Sequence, residues 1–211
     1  MEQTLDSLYW RYAVKKFDPK RVLPEAKIKQ LGAAFNLTAT SYGLQPIRLM
    51  IVQNKEIQQS LVSSAYGQRQ VADASHLLVI CIEKKITPGY IETYFKRVQK
   101  IRGTATDILE PFKKGLVDSF TKKTPDDIRN WAMNQAYLAL GNLLTVCAVE
   151  RIDSCPMEGF VPAAFGDILK LGPKELEPIL LLPVGYRAED DMFSDFAKVR
   201  RPEAESILYH K

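Results

Sequence analysis

One stretch near the middle of the chain, residues 124–150, constrains the fold more than any other. Its first residues, Thr124, Pro125, Asp126 and Asp127, supply a hydroxyl cap, a first-turn proline and early acidic charge, which is the pattern of a helix start. At ~1.5 Å per residue, a helix continuing through Glu150 would run on the order of 35 to 40 Å. A helix of that length crosses a whole domain.

Apolar residues surround this predicted helix on most of its circumference. They are Trp131, Met133, Ala136, Leu138, Leu140, Leu143, Leu144, Val146 and Cys147. Because these side chains cannot share one stripe, the helix must be buried on more than one side. The pattern fits either the centre of a monomer core or the seam of an obligate dimer.

A membrane span is a poor reading of the same stretch. Asn134, Gln135 and Asn142 interrupt its apolar run, and in lipid they would leave costly polar groups. The N-terminal residues include no long apolar stretch either, so we expect no signal peptide, no membrane anchor and no membrane partner.

Composition narrows the class of protein. With 211 residues, 46% hydrophobic and 26% charged, the chain predicts one globular domain over residues 1–211. A net charge of +4 is too small to indicate a nucleic-acid surface. Cys81, Cys147 and Cys155 lie among apolar neighbours without CxxC spacing, which favours buried thiols and a cytoplasmic location. His76 and His210 have no carboxylate pair at helical spacing, so we expect no metal site.

Hydrophobic periodicity predicts the remaining elements. An amphipathic helix is expected at 24–35, and others at 55–64 and 163–171. Short apolar runs predict strands at 49–52, 77–82, 152–155 and 179–184, the last ending at proline. Residues 84–123 are rich in lysine, arginine, glycine and proline, which predicts a helical excursion that forms a lid. The expected architecture is α+β, with helices flanking a sheet of four or five strands.

Four short clusters could carry chemistry. They are RYAVKKF at 11–17, TSYGLQP at 40–46, CPMEGF at 155–160 and KVRRP at 198–202. Taken singly, the two basic clusters read as solvated edges, and the two glycine-containing clusters read as plain turns. Alternatively, the two basic clusters supply cations that bind an anion, and the two glycine-containing clusters supply backbone donors to a polar ligand.

Together and in this order, with the long helix between the second and third clusters, these segments resemble the FMN-dependent nitroreductase and flavin reductase family. The resemblance covers nearly the whole chain through RYAVKKFD, SYGLQP, YGQRQVADASH, NQAYLALGNLL, PMEGF and KVRRP. It implies a nitroreductase-like fold with a mostly antiparallel sheet, and an intertwined homodimer. It also implies an oxygen-insensitive enzyme that moves hydride from NADH or NADPH through FMN to a nitroaromatic, quinone or similar acceptor, by a ping-pong mechanism.

The resemblance assigns the phosphate end of FMN to both chain ends. Arg11 would face the phosphate and Lys15 the N1 and C2-oxygen side of the ring, while Lys198 and Arg200 complete the clamp. Fixed cations suit a phosphate dianion because charge-assisted hydrogen bonds are the strong ones. Two further contact residues, Tyr12 and Ala13, lie between the cations. Ala13 stands where many relatives have serine, so one hydroxyl contact is missing.

A second group would reach FMN from the partner subunit. The family places a proline, small hydroxyl residues and often asparagine where this chain has Ala39, Thr40, Ser41 and Gly43. Gly43 supplies no amide side chain. Ser41 is also expected on the substrate side, together with Tyr42 and Tyr66.

The remaining contacts would lie around the flavin ring. Gly67 replaces an asparagine common in relatives, and of the two nearby glutamines we favour Gln70 for the pyrimidine edge. The turn formed by Pro156, Met157, Glu158 and Gly159 would cover one side of the ring. The resemblance puts the Glu158 N–H near N5, with its side chain as a lid.

No catalytic side chain is expected, because the hydride chemistry takes place at N5 of FMN. No GxGxxG follows a candidate strand, so a standing dinucleotide site is not predicted. Ser41 and Ser64 lack the histidine and carboxylate partners of a catalytic triad. Two alternatives remain: a non-enzymatic flavin-binding module, or another flavin reaction on this scaffold, such as enal or flavin reduction or dehalogenation.

Overall fold

One antiparallel sheet organises the chain in the computed structural model, which describes residues 2–210. Its strands are β1 (Ile47–Val52), β2 (His76–Glu83), β3 (Asp153–Ser154) and β4 (Leu176–Gly185), in the spatial order β1-β2-β4-β3. All three neighbouring pairs run antiparallel. The predicted α+β architecture with a mostly antiparallel sheet of four or five strands is confirmed.

Helices cover the sheet and extend beyond it. In chain order they are α1 (Glu2–Trp10), α2 (Glu25–Asn36), α3 (Lys55–Leu61), α4 (Gln70–Asp73), α5 (Pro88–Arg102), α6 (Thr106–Thr121), α7 (Pro125–Val149), α8 (Pro162–Ile168) and α9 (Glu203–Ser206). The predicted helices lie where expected, and their ends differ from the prediction by up to three residues. Helix ends are the least precisely defined part of a helix.

The central strand β2 explains why the chain has two apolar layers. Leu77, Val79 and Cys81 pack into the cluster on one face of the sheet. Leu78 and Ile80 pack into the cluster on the other face, beside α2 and α7. Successive side chains of a strand point to opposite faces, so a strand covered on both sides must be apolar throughout.

Helix α7 begins as the sequence predicts. The Thr124 hydroxyl accepts a hydrogen bond from the Asp127 backbone N–H at 3.1 Å, and the Asp127 carboxylate accepts from the Thr124 N–H at 3.0 Å. These reciprocal bonds form a capping box. The helix is long and apolar enough to span a membrane by length and composition, but one side of it packs on β2 and β4.

The other side of α7 is open. Leu138 is 55% exposed and Val149 is 47% exposed, and α1 lies alongside with Tyr9 75% exposed. Helix α7 therefore belongs to the core of its own chain, and it also carries apolar residues that this chain leaves uncovered.

The prediction that the last strand ends at proline is wrong. Strand β4 continues through Pro183 to Gly185. The Pro183 carbonyl accepts a hydrogen bond from the Cys155 N–H at 3.1 Å, on the side of the two-residue strand β3. The absent N–H of Pro183 faces that same side, so the pairing of β4 with β2 loses no hydrogen bond.

Helices α5 and α6 fill most of residues 84–123 and pack on each other around their own apolar cluster. This cluster includes Phe95 and Phe120, and it also takes in Leu44 from the loop before β1. The helix pair therefore lies against that loop.

Candidate functional site

A cavity of about 320 Å³ lies between the loop that follows α1 and the C-terminal segment. It is lined by Arg11, Tyr12, Ala13, Lys15, Phe193, Phe196, Ala197, Lys198 and Arg200. The Lys198 ammonium donates to the Arg11 carbonyl oxygen, which joins residues 187 positions apart in the sequence. We refer to this space as the basic cavity.

The loop at 11–17 is fixed because it runs along the edge of β3. Val14 donates its N–H to the Ser154 carbonyl at 3.2 Å, and Ala13 forms a parallel bridge with the same residue. Val14 and Phe17 point into the core, at 0% and 1% exposure. Burial of these apolar side chains leaves Arg11 and Lys15 on the wall of the cavity.

The basic cavity collects positive charge that the protein does not neutralise. Among residues 3–210, whose side chains the structure describes, none of Arg11, Lys15, Lys198 and Arg200 forms an ion pair. The Arg11 Nε is buried and has no hydrogen-bond partner within residues 3–210. Burial and the charge of Arg200 lower the pKa of Arg11, and burial together with Arg11 and Arg200 lowers the pKa of Lys198. Such a cluster suits an anion with several acceptor oxygens.

Tyr12 is held from two sides. Its hydroxyl donates to Asp191 Oδ2 at 2.8 Å, and the Arg187 guanidinium lies 4.6 Å from its ring centroid. Arg187 is itself fixed by Asp153, whose Oδ1 accepts from Arg187 Nε at 2.8 Å. Burial and the bond to Asp191 raise the pKa of Tyr12. Its hydroxyl is therefore engaged within the protein, and its ring lines the cavity.

The loop at 39–45 does not line the basic cavity of its own chain. Ser41 donates its N–H to Gln135 Oε1 of α7 at 2.8 Å, and the Gly43 N–H bonds to the Thr40 carbonyl at 2.9 Å. Tyr42 has a φ of 59° and its ring meets Phe120 of α6 with centroids 6.2 Å apart. Ala39, the first residue of this loop, is exposed.

The turn at 156–159 meets the segment at 66–70. Gln68 Nε2 donates to the Gly159 carbonyl at 2.8 Å, and the Tyr137 hydroxyl donates to Glu158 Oε1 at 2.8 Å. Met157 exchanges two backbone hydrogen bonds with Leu181 of β4. Pro156 precedes them and is half-buried. The turn is thus fixed to the sheet and to α7, although none of its residues lines the basic cavity.

Two residues beside that turn have left-handed backbone. Tyr66 has a φ of 54° and is 69% exposed, and Gly67 has a φ of 76°. Gln70, which the sequence favours as a flavin contact, is 8% exposed, whereas Gln68 is the glutamine that contacts the turn.

Several residues that shape the site carry no local sequence signal. Phe193 and Phe196 line the cavity, Tyr137 holds Glu158, and Asp191 bonds to the 12–16 loop. Each contacts residues that are distant in the sequence, and Asp191 lies in an ordinary acidic segment. Their roles emerge only from the folded geometry.

Known proteins resemble this chain in sequence and in fold. The model of the nitroreductase family matches residues 8–186. A Staphylococcus epidermidis protein, provisionally named an NAD(P)H nitroreductase, is 30% identical over 99% of this chain and 98% of its own length. The solved structure of a nitroreductase-like protein from Streptococcus mutans has a TM-score of 0.85 and 28% identity, with both chains fully covered.

A more distant structure was solved with a flavin. A protein from Exiguobacterium sibiricum, crystallised in complex with FMN, has a TM-score of 0.84 over 98% of this chain and 97% of its own, at 14% identity. At that identity the likeness concerns the fold. The family match and the full-length relative show that this chain belongs to the nitroreductase family of oxidoreductases.

Proposed function

We propose that this chain is an FMN-dependent enzyme that passes hydride from NADH or NADPH to a nitroaromatic, quinone or similar acceptor. Family membership and the name of the S. epidermidis relative support the nicotinamide donor, and the FMN complex of the E. sibiricum relative supports the flavin. The observation that carries the proposal is the cavity with four cations from the two chain ends and, among the residues that the structure describes, no carboxylate in its lining.

The basic cavity fits the phosphate end of FMN. In the described part of the chain the buried Arg11 Nε–H has no acceptor, which costs free energy, and a phosphate oxygen would supply one. The charges of Arg11 and Arg200 lower the pKa of Lys198, and the charge of Arg200 lowers that of Arg11, so a dianion among these cations relieves their repulsion. Ala13 supplies no hydroxyl at this point, so Arg200 takes a larger share of phosphate binding.

FMN, once bound, supplies a ring nitrogen that accepts a hydride and passes it to a second substrate. Lys15 lies on the same wall as Arg11, and its cation favours negative charge at the N1 side of the ring. The backbone of the 156–159 turn would cover one side of the ring, with the Glu158 N–H as a donor. Because Tyr137 holds the Glu158 carboxylate, that side chain stays at the rim of the pocket.

The loop at 39–45 completes the site of a partner subunit. It is fixed to α7 through Gln135 and lies away from the basic cavity of its own chain. Ala39, Thr40, Ser41 and Gly43 then contribute small groups and backbone donors to the partner's flavin. Gln70 would contact the pyrimidine edge of the flavin, as the family resemblance implies.

Residues at the rim of the flavin pocket select the substrate. Tyr42 projects from the 39–45 loop against Phe120 of α6, so the helix pair α5 and α6 forms a roof beside it. Ser41 and the exposed Tyr66 complete the substrate side. A roof made of aromatic side chains suits flat acceptors such as quinones and nitroaromatics.

The quickest test of the proposed function is an absorption spectrum of the purified protein, followed by anaerobic addition of each nicotinamide. We expect a flavin spectrum that bleaches with NADH or NADPH and recovers with a quinone or nitroaromatic. Because donor and acceptor use one pocket in turn, plots of reciprocal initial rate against reciprocal nicotinamide concentration, taken at several acceptor concentrations, should be parallel lines. A folded, colourless protein that ignores added FMN would refute the proposal.

A homodimer follows from the same proposal. The open face of α7 and α1 exposes Leu138, Val149 and Tyr9, and the C-terminal segment exposes Leu208 at 92%. Large apolar side chains that lie exposed on one face are typical of an interface. Light scattering on the FMN-loaded protein should give twice the chain mass, and a monomer with bound FMN at micromolar concentration would contradict it.

The cytoplasm is the proposed location. Cys81, Cys147 and Cys155 are free and buried, and burial raises the pKa of Cys81 and Cys147 to about 12. Three unpaired thiols suit a reducing compartment.

A further inference from the structure

Asp191 is a buried carboxylate at the back of the basic cavity, at 3% exposure. Its Oδ2 accepts three hydrogen bonds: from the Tyr12 hydroxyl at 2.8 Å, from the Lys15 N–H at 2.9 Å and from the Lys16 N–H at 3.1 Å. Its Oδ1 accepts from the Phe193 N–H at 3.2 Å. One side chain thus collects donors from two separate parts of the chain.

These donors belong to the two walls of the cavity. Tyr12 and Lys15 line the N-terminal wall, and Phe193 lines the C-terminal wall. Burial alone would oppose ionisation of Asp191, but the bonds from Lys15, Tyr12 and Lys16 outweigh it and lower the pKa of this carboxyl. The group that joins the walls is therefore an anion at neutral pH.

Asp191 accepts hydrogen bonds from backbone N–H groups and the Tyr12 hydroxyl rather than from cationic side chains. Within residues 3–210 it forms no ion pair, and the side chain of Lys16 instead pairs with the neighbouring Asp190. The positive charges of Arg11, Lys15, Lys198 and Arg200 consequently remain available to a ligand.

We propose that Asp191 is a positioning residue for cofactor binding. It holds the 12–16 backbone against the 191–193 turn, so that the cations of both walls face a single phosphate. This inference rests on the proposed FMN site, and it adds a residue to which neither the motif pattern nor the family resemblance assigned a role.

Electrostatics and geometry make opposite predictions for this residue. A carboxylate near a phosphate site repels the ligand, so removal of its charge alone would tighten FMN binding. Loss of its hydrogen bonds would instead loosen the loop and weaken binding. In Asp191→Asn a single acceptor oxygen remains for four donors, so backbone N–H groups of the loop are left unpaired.

The experiment compares FMN with riboflavin, because riboflavin lacks the phosphate. Apo protein is titrated with each flavin and the quenching of flavin fluorescence is followed. We expect Asp191→Asn to raise the Kd of FMN about 10-fold to 100-fold, as for the loss of one or two hydrogen bonds to a charged group, and the Kd of riboflavin less than about 3-fold. Equal or tighter FMN binding by Asp191→Asn would overturn the inference.

Asp190→Asn is the matched control. Asp190 adjoins Asp191 and its side chain is 69% exposed, so this variant removes the same charge without touching the loop backbone. We expect its FMN affinity to stay within about 3-fold of the parent or to tighten. A loss equal to that of Asp191→Asn would make the effect one of charge and refute positioning.

A second variant covers the case in which Asp191→Asn does not fold. Tyr12→Phe removes one donor and keeps the carboxylate with its backbone bonds; we expect the Kd of FMN to rise about 3-fold to 10-fold with riboflavin little changed. Unchanged FMN affinity in Tyr12→Phe would then count against the inference.

Inorganic phosphate separates this inference from the proposed function. If wild-type protein binds neither flavin, the proposed function fails, but a rise of its Tm with phosphate that Tyr12→Phe and Asp191→Asn diminish still supports positioning. If wild type binds FMN and both variants match it, positioning fails alone.

Discussion

Replacement of Arg11 by methionine should have opposite effects on the apo protein and on cofactor binding. The Arg11 Nε is buried without a partner, and the guanidinium repels Lys198 and Arg200. Burial of an unpaired donor costs about 1–3 kcal/mol, so its removal should raise the free energy of unfolding of the apo protein by about 1 kcal/mol. Methionine keeps the apolar stem in place.

The same change should weaken FMN binding. Hydrogen bonds to a charged group contribute about 1.5–3 kcal/mol, which corresponds to a Kd increase of about 10-fold to 100-fold. Riboflavin should bind within about 3-fold of the parent, because it has no phosphate for Arg11 to hold. Fluorescence titration of both flavins and thermal unfolding of the apo protein measure the two effects.

Lys16→Met is the control for this experiment. Lys16 lies in the same loop and carries the same charge, but it pairs with Asp190 and does not line the cavity. We expect both Kd values within about 3-fold of the parent, since an exposed ion pair contributes little. An Arg11→Met variant that loses riboflavin and FMN equally, or whose apo form is destabilised, would refute the reasoning.

Three further predictions concern the fold around the site. Gly43→Ala should lower the Tm more than Gly67→Ala: both glycines have positive φ, of 71° and 76°, but only at Gly43 does a Cβ meet Tyr94 Oη, at 2.7 Å. Equal losses would show that the contact with α5 is irrelevant. Thr124→Ala should cost about 1 kcal/mol of unfolding free energy in urea titration, because it removes half of the capping box of α7; no change would show that the box does not stabilise the helix. Burial and the charge of Lys55 lower the pKa of His76, so the unfolded state binds the proton more readily and stability should fall as pH drops below about 6.5. A pH series of unfolding should be flatter in His76→Gln, and a parallel series would contradict this role.

Local patterns predicted much of the fold. The capping residues of α7 act within one turn, and the apolar run of β2 reflects burial on both faces, so both were visible in the sequence. The course of β4 through Pro183 was not, because it depends on which side of the strand the missing N–H faces, and distant segments of the chain set that pairing.

The candidate site was predictable in its motifs but not in its supports. Arg11, Lys15, Lys198 and Arg200 line one cavity, and their binding of the flavin phosphate stays a prediction. Asp191 could not be predicted, because it bonds to residues more than 170 positions away and nothing in its own segment marks it. Long-range hydrogen bonds of this kind leave no periodicity in the sequence.

A crystal structure of the protein with FMN tests most directly whether cations from both chain ends hold one flavin phosphate. We expect the phosphorus atom inside the basic cavity, with Arg11 Nε and at least one of Lys198 and Arg200 within hydrogen-bond distance of its oxygens. FMN bound with its phosphate in solvent, or seated in another cavity with the four cations still unpaired, would contradict the central claim.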